Sequence, residues 1–217
     1  MNMKHNPANL SLNEAQKDIL KEIGNIGAGH AASSLSHLLN KTISMNVPNV
    51  HFAPFEEIME LSGGAERIVA SVFLRFSGDV NGNMFFVLPV DQATRFVRAL
   101  VAEDFSFANP PYPEIALSAY QEIGNILAGS YLSALSDFLN IRIAPSVPEV
   151  AIDMFGAIIS FGLLEISRVA DYAIAIDAEI KDHEANDQNE SIKGHFFLLP
   201  DPESLQYIFS LLGEQLQ

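Results

Sequence analysis

An α+β fold, built as two related halves packed into one body, is predicted by three observations on the 217-residue sequence. Glu22-Ile-Gly-Asn-Ile-Gly-Ala-Gly29 recurs as Glu122-Ile-Gly-Asn-Ile-Leu-Ala-Gly129, with seven of eight positions identical. Around the first copy, Ile19, Leu20, Ile23 and Ile26 fall at helical intervals. Downstream of each copy, β-branched and aromatic runs carry paired phenylalanines, Phe85-Phe86 and Phe196-Phe197, and a further helical segment follows. Each half would offer one amphipathic sheet face, and burying the two faces together favours a pseudo-two-fold single domain over residues 1–217. Its repeats span about 11–108 and about 111–217.

Taken in order, Ser11-Leu-Asn-Glu14 has the spacing of a capping box and predicts a helix over about 12–40. Ile43, Met45, Val47 and Val50 suggest a strand, and Ile68 to Phe76 is rich in strand formers. Gly78-Asp-Val-Asn-Gly82 turns the chain, so that Asn83 to Leu88 pairs back as a hairpin. Pro89 opens a helix reaching about Val101. Asn109-Pro-Pro-Tyr-Pro113 breaks any helix and joins the halves. The second half repeats the order: a helix over about Pro113–Leu139, a strand near Ile141–Pro148, strands within Ala157–Glu179, the His195–Leu199 strand and a last helix from Pro202. The motif copies are 100 residues apart but the Phe-Phe pairs 111, and the hydrophilic Lys181–Glu190 run accounts for the difference as a long hairpin loop.

Composition removes several functions. A formal charge of −15 repels phosphate backbones and anionic bilayers, which argues against nucleic-acid and membrane binding. With no cysteine there is no disulfide, thiolate or cysteine zinc site. Met1 to Ser11 is polar, and no run of about 18 apolar residues exists to span a bilayer. A cytoplasmic protein is expected.

The conserved polar residues of the repeat are the unusual ones. Residues three or four apart share a helix face, so Asp18, Glu22 and Asn25 point one way, as do Ser118, Glu122 and Asn125. Between residues 18–50 and their counterparts 16 of 33 positions agree, and the agreement clusters around Glu and Asn. Glycine inside a helix costs roughly 1 kcal/mol relative to alanine, so Gly24, Gly27, Gly29, Gly124 and Gly129 call for compensation. Two compensations are open, and both can hold because different glycines lie at different angles round the helix: a close crossing of the two long helices through Gly24, Ala28, Ala31, Gly124 and Ala128, and approach of a partner's backbone to the amides. Asn25 alone could instead cap a helix broken at Gly27, but Gly27 is matched by Leu127 while the asparagine is repeated.

A carboxamide offers fixed donors and an acceptor; it can position a reactant but cannot take up a proton near neutral pH. One Glu and one Asn are too few to hold a metal, and His30 and His37, seven apart, exceed the interval for chelation from one helix. A metal hydrolase using His30, His37, His51, His183 and His195 is therefore the weakest reading. Positioning alone is useful in phosphoryl transfer, where a hydrogen-bonding group aligns the attacking water.

Asp18-x3-Glu22-x2-Asn25-x22-Pro48 and Ser118-x3-Glu122-x2-Asn125-x22-Pro148 resemble the double signature of the CheC-type chemotaxis phosphatases, the CheC, CheX and FliY group. The resemblance covers nearly the whole chain. It implies two long motif helices and flanking helices on an antiparallel sheet, and hydrolysis of the aspartyl phosphate of the response regulator CheY. Asn25 and Asn125 would orient water while Glu22 and Glu122 dock a regulator lysine. Asp18 and Ser118 would give local support, and Pro48 and Pro148 would be structural. No cofactor is implied for this chain; Mg2+ would belong to the regulator. CheD, a receptor glutamine deamidase, is a second partner that the resemblance admits. Two motifs suggest a self-sufficient monomer, whereas single-motif CheX-type members dimerise, and the segments that FliY-type members add are not expected here. The alternative is a docking module for a regulator or CheD that turns over no phosphate. Because the chain is so acidic, association must rest on local complementarity.

Overall fold

The computed structural model describes residues 12–101, 104–165, 172–184 and 191–215. Helix α1 (Glu14–Leu39) starts at Asn13, whose side chain accepts from the Gln16 amide at 2.8 Å while Gln16 Oε1 accepts from the Asn13 amide at 3.1 Å. The capping box therefore begins at Asn13, and Ser11 lies outside the described residues. Leu20, Ile23, Gly24, Gly27, Ala28, Ala31 and Leu35 form its buried stripe. The helix runs unbroken through Gly27 and ends at Asn40 in the left-handed conformation, so Asn25 does not cap a broken helix. Helix α4 (Glu114–Leu139) has the same length and the same ending, at Asn140.

The first repeat continues with β1 (Ile43–Asn46), β2 (Val50–Pro54), α2 (Phe55–Leu61), β3 (Ile68–Gly78), β4 (Gly82–Pro89) and α3 (Val90–Arg98). The second continues with β5 (Ile143–Pro145), β6 (Glu149–Met154), α5 (Phe155–Glu165), β7 (Tyr172–Asp182), β8 (Ser191–Pro200) and α6 (Pro202–Glu214). Two expectations need correction. Phe155–Glu165 is helical where strands were expected from Ala157 onward, because an apolar run of this length carries no periodicity that separates a buried helix from a strand. The short helix α2 was not anticipated. The Lys181–Glu190 run does join a hairpin, with Lys181 opposite Ser191; residues 185–190 lie outside the described ones.

Among the described residues eight strands form one antiparallel sheet in the order β1-β7-β8-β4-β3-β5, with β2 also on β7 and β6 also on β3. The short strands of each repeat thus pair with the long hairpin of the other, and β4 joins β8 with Phe85 opposite Phe197 and Phe86 opposite Phe196. That register obeys the pseudo-two-fold. Strand alternation sends Phe86 and Phe196 into the main core beneath α1, α3, α4 and α6, and Phe85 and Phe197 into a smaller core on the other face. Tyr120 ties α4 to the sheet by donating its hydroxyl to Ala70 O at 2.9 Å. No helix among the described residues is long and apolar enough to cross a membrane.

On the face of the smaller core, Asp177 binds three side chains. Its Oδ1 lies 3.0 Å from His195 Nδ1, and its Oδ2 accepts from Asn49 Nδ2 at 3.0 Å and lies 3.4 Å from His51 Nε2. Burial alone would raise the carboxyl's pKa, but the His195, Asn49 and His51 contacts outweigh it and hold it near about 2 against an ordinary 3.8. A carboxyl that titrates lower in the folded chain contributes stability above the unfolded pKa and loses it as pH falls through the folded one. Wild type is therefore expected to lose roughly 2 kcal/mol from this group between pH 4 and pH 2, a slope missing from Asp177→Asn. Urea unfolding at stepped pH measures it; identical slopes for the two proteins would contradict the assignment.

Candidate functional site

The four motif residues stand on the outward faces of α1 and α4. Glu22, Glu122 and Asn125 are exposed and Asn25 is half-buried, with Asp18 and Ser118 exposed one turn earlier. One turn beyond each asparagine lie Gly29 and Gly129, where an added Cβ would meet nothing within 4 Å. Each helix therefore presents a polar line ending in a bare stretch of backbone, open to an approaching surface. Ile26, 40% exposed, adds an apolar contact beside the first line.

The buried glycines serve packing, and not in the way expected from the sequence. A Cβ on Gly24 would lie 3.0 Å from a methyl of Val47, and one on Gly124 2.4 Å from a methyl of Val72. Gly27 alone of these glycines lets the long helices cross, since its Cβ would sit 3.0 Å from both Ser130 O and the Tyr131 Cα. Gly24 and Gly124 therefore face loop and sheet side chains, Val47 and Val72, and not the other long helix.

The two asparagines differ in their surroundings. Asn25 Nδ2 donates to Lys21 O at 3.0 Å, Oδ1 accepts from the Val47 amide at 2.9 Å, and Val47 O lies 3.5 Å from Nδ2. Among the described residues Asn125 has no such bond, and the loop of its repeat is held instead by Gln121 Nε2, which donates to Pro148 O at 2.6 Å. Sequence reasoning passed over Gln121, whose only signal was that Lys21 stands at the matching position. Of the histidines set aside as weak metal candidates, His51 and His195 flank Asp177, and the described residues contain no group of three His, Asp or Glu able to hold a metal ion.

None of the four motif residues lines the groove of about 630 Å³ between Arg67, Val90, Arg95 and Ser106. The polar lines lie on exposed helix faces, and the amides can neither donate nor accept a proton in catalysis. Fold and surface together define a duplicated α+β protein with two outward helix faces suited to another macromolecule.

The CheC-like family model matches residues 16–52 and 115–152, the two motif helices with the loops that follow them. The CheY-P phosphatase CheC of Bacillus subtilis (strain 168) is 47% identical over 206 residues, 94% of this chain and 97% of the relative. The flagellar motor switch phosphatase FliY of the same organism is 30% identical over 139 residues, 64% of this chain and 36% of FliY. The crystal structure of Thermotoga maritima FliY matches the fold with a TM-score of 0.73 at 21% identity, covering 94% of this chain and 99% of that one. The chain belongs to the CheC-like family.

Proposed function

We propose that this chain hydrolyses the aspartyl phosphate of a CheY-type response regulator, with Asn25 and Asn125 orienting the attacking water and Glu22 and Glu122 docking the regulator. The observation that carries the reading is the repeated outward Glu-Asn pair on a backbone left bare by Gly29 and Gly129, together with the similarity to a CheY-P phosphatase over almost the full length of both chains. The carboxamide oxygen accepts a hydrogen bond from water and fixes its lone pair toward phosphorus. Attack in line then breaks the bond from phosphorus to the aspartyl oxygen, leaving a free carboxylate and inorganic phosphate. The Mg2+ expected for that transfer stays on the regulator. Nothing in this scheme asks the chain for a general base.

Glutamate has a separate task. Glu22→Ala and Glu122→Ala are expected to raise the half-saturating regulator concentration several-fold with little change in maximal rate, because an interaction equally strong before and during reaction affects only binding. Steady-state hydrolysis over a regulator titration checks this; unchanged saturation would give the glutamates another role. A monomer in the cytoplasm is the functional unit in this reading, and CheD is proposed as a second partner. Phosphate loss from purified phospho-CheY, with and without the protein, tests the activity itself.

A further inference from the structure

The two repeats handle the same loop in opposite ways. In the first, Val47 is 2% exposed, its amide holds Asn25 Oδ1 at 2.9 Å, and its methyls cover Gly24. In the second, Val147 is 79% exposed, Pro148 is buried in its stead, and Val72 from β3 covers Gly124. The loop of the second repeat has in effect shifted by one residue, and its fixed point is the Pro148 carbonyl held at 2.6 Å by Gln121. Lys21, at the matching place, makes no bond to Pro48 among the described residues. The acceptor that the phosphatase reading assigns to water is thus already used in Asn25 and unused in Asn125.

We propose that Gln121 is a positioning residue that keeps the second site open by anchoring Pro148 O, and that the loop around Val47 acts as a clasp on Asn25 which the regulator must displace before the first site can work. This rests on the phosphatase reading and goes beyond it by making the two sites unequal through a single side-chain difference. Displacing the clasp breaks the Val47 bond to Asn25 and exposes a buried valine, whereas Asn125 is ready on encounter. A site that is open only part of the time binds with an apparent affinity reduced by that fraction.

The test separates the sites. In an Asn25→Ala background, where only the second site remains, Gln121→Met keeps the side-chain length but removes the donor. Its half-saturating regulator concentration is expected to rise about fivefold, the worth of one net hydrogen bond, at nearly constant maximal rate. In an Asn125→Ala background, Lys21→Gln is expected to lower that concentration by a similar factor, a gain that damage to the fold does not produce. Side-chain amide NMR of the wild-type chain supplies a readout without substitution: the Asn25 NH2 protons exchange slowly with water and those of Asn125 fast. Equal exchange at both, or unaltered saturation in both swaps, overturns the proposal while leaving the phosphatase reading intact. Unchanged hydrolysis by Asn25→Ala with Asn125→Ala overturns that reading instead.

Discussion

Asn125→Ala is expected to slow dephosphorylation of phospho-CheY more than Asn25→Ala does, and the double substitution to slow it by about 100-fold or more, the usual penalty for losing alignment of a reacting group. The inequality follows from geometry. Asn125 stands exposed with its carboxamide unengaged among the described residues, while Asn25 is bound to Lys21 O and the Val47 amide. Because each asparagine only positions, neither substitution should shift the pH dependence of the rate, as loss of a titrating base would. The check is the first-order decay of phospho-CheY, with enzyme held well below its half-saturating concentration, for wild type, both single variants and the double. Equal losses in the two single variants would mean that the Val47 loop is no obstacle. A pH-rate profile altered by either change would give the amide a role other than positioning.

Gly27→Leu is expected to destabilise the fold by about 3 kcal/mol, toward the upper end for overpacking a close contact. Sequence alone makes this change look harmless, since Leu127 occupies the matching position of the other helix and is buried there. At Gly27, however, the Cβ already falls 3.0 Å from Ser130 O and the Tyr131 Cα, which are backbone atoms that cannot swing aside. Longer branches would wedge the motif helices apart. For a chain of this size the melting temperature should drop by roughly 6–12 °C, followed by circular dichroism. Gly27→Ala should do far less, because the roughly 1 kcal/mol gain in helix propensity offsets part of the crowding. An unchanged melting temperature for Gly27→Leu would show that the helices part without cost.

Both motif helices, the β3–β4 hairpin and the two Phe-Phe strands were legible because local periods, β-branched runs and a turn signal agree at each of them. Helix α5 was not, since Phe155 to Leu164 has Ser160 as its one polar residue and so offers no polar face to mark a helical period. The interlocking of the repeats, β1 and β2 on β7 and β5 and β6 on β3, also lay beyond the sequence: pairing between distant strands leaves no local mark. At the site, the helix period alone placed Glu22 with Asn25, and Glu122 with Asn125, on a common face of each helix; that those faces point outward is given by the structure. What it could not give was the state of each amide. That depends on whether Val47 or Pro148 meets the helix, and so on the donor at Gln121 that Lys21 does not supply in the first repeat.

The central claim is that a carboxamide on each long helix aligns water against an acyl phosphate carried by a regulator. The most direct test pairs one binding curve with one decay curve for Asn25→Ala, Asn125→Ala: affinity for CheY held in its phosphorylated form by a non-hydrolysable phosphate mimic, and phosphate release from phospho-CheY. The account predicts binding within about threefold of wild type and turnover lost by ~100-fold. Turnover that survives the loss of both amides, with binding intact, would contradict it.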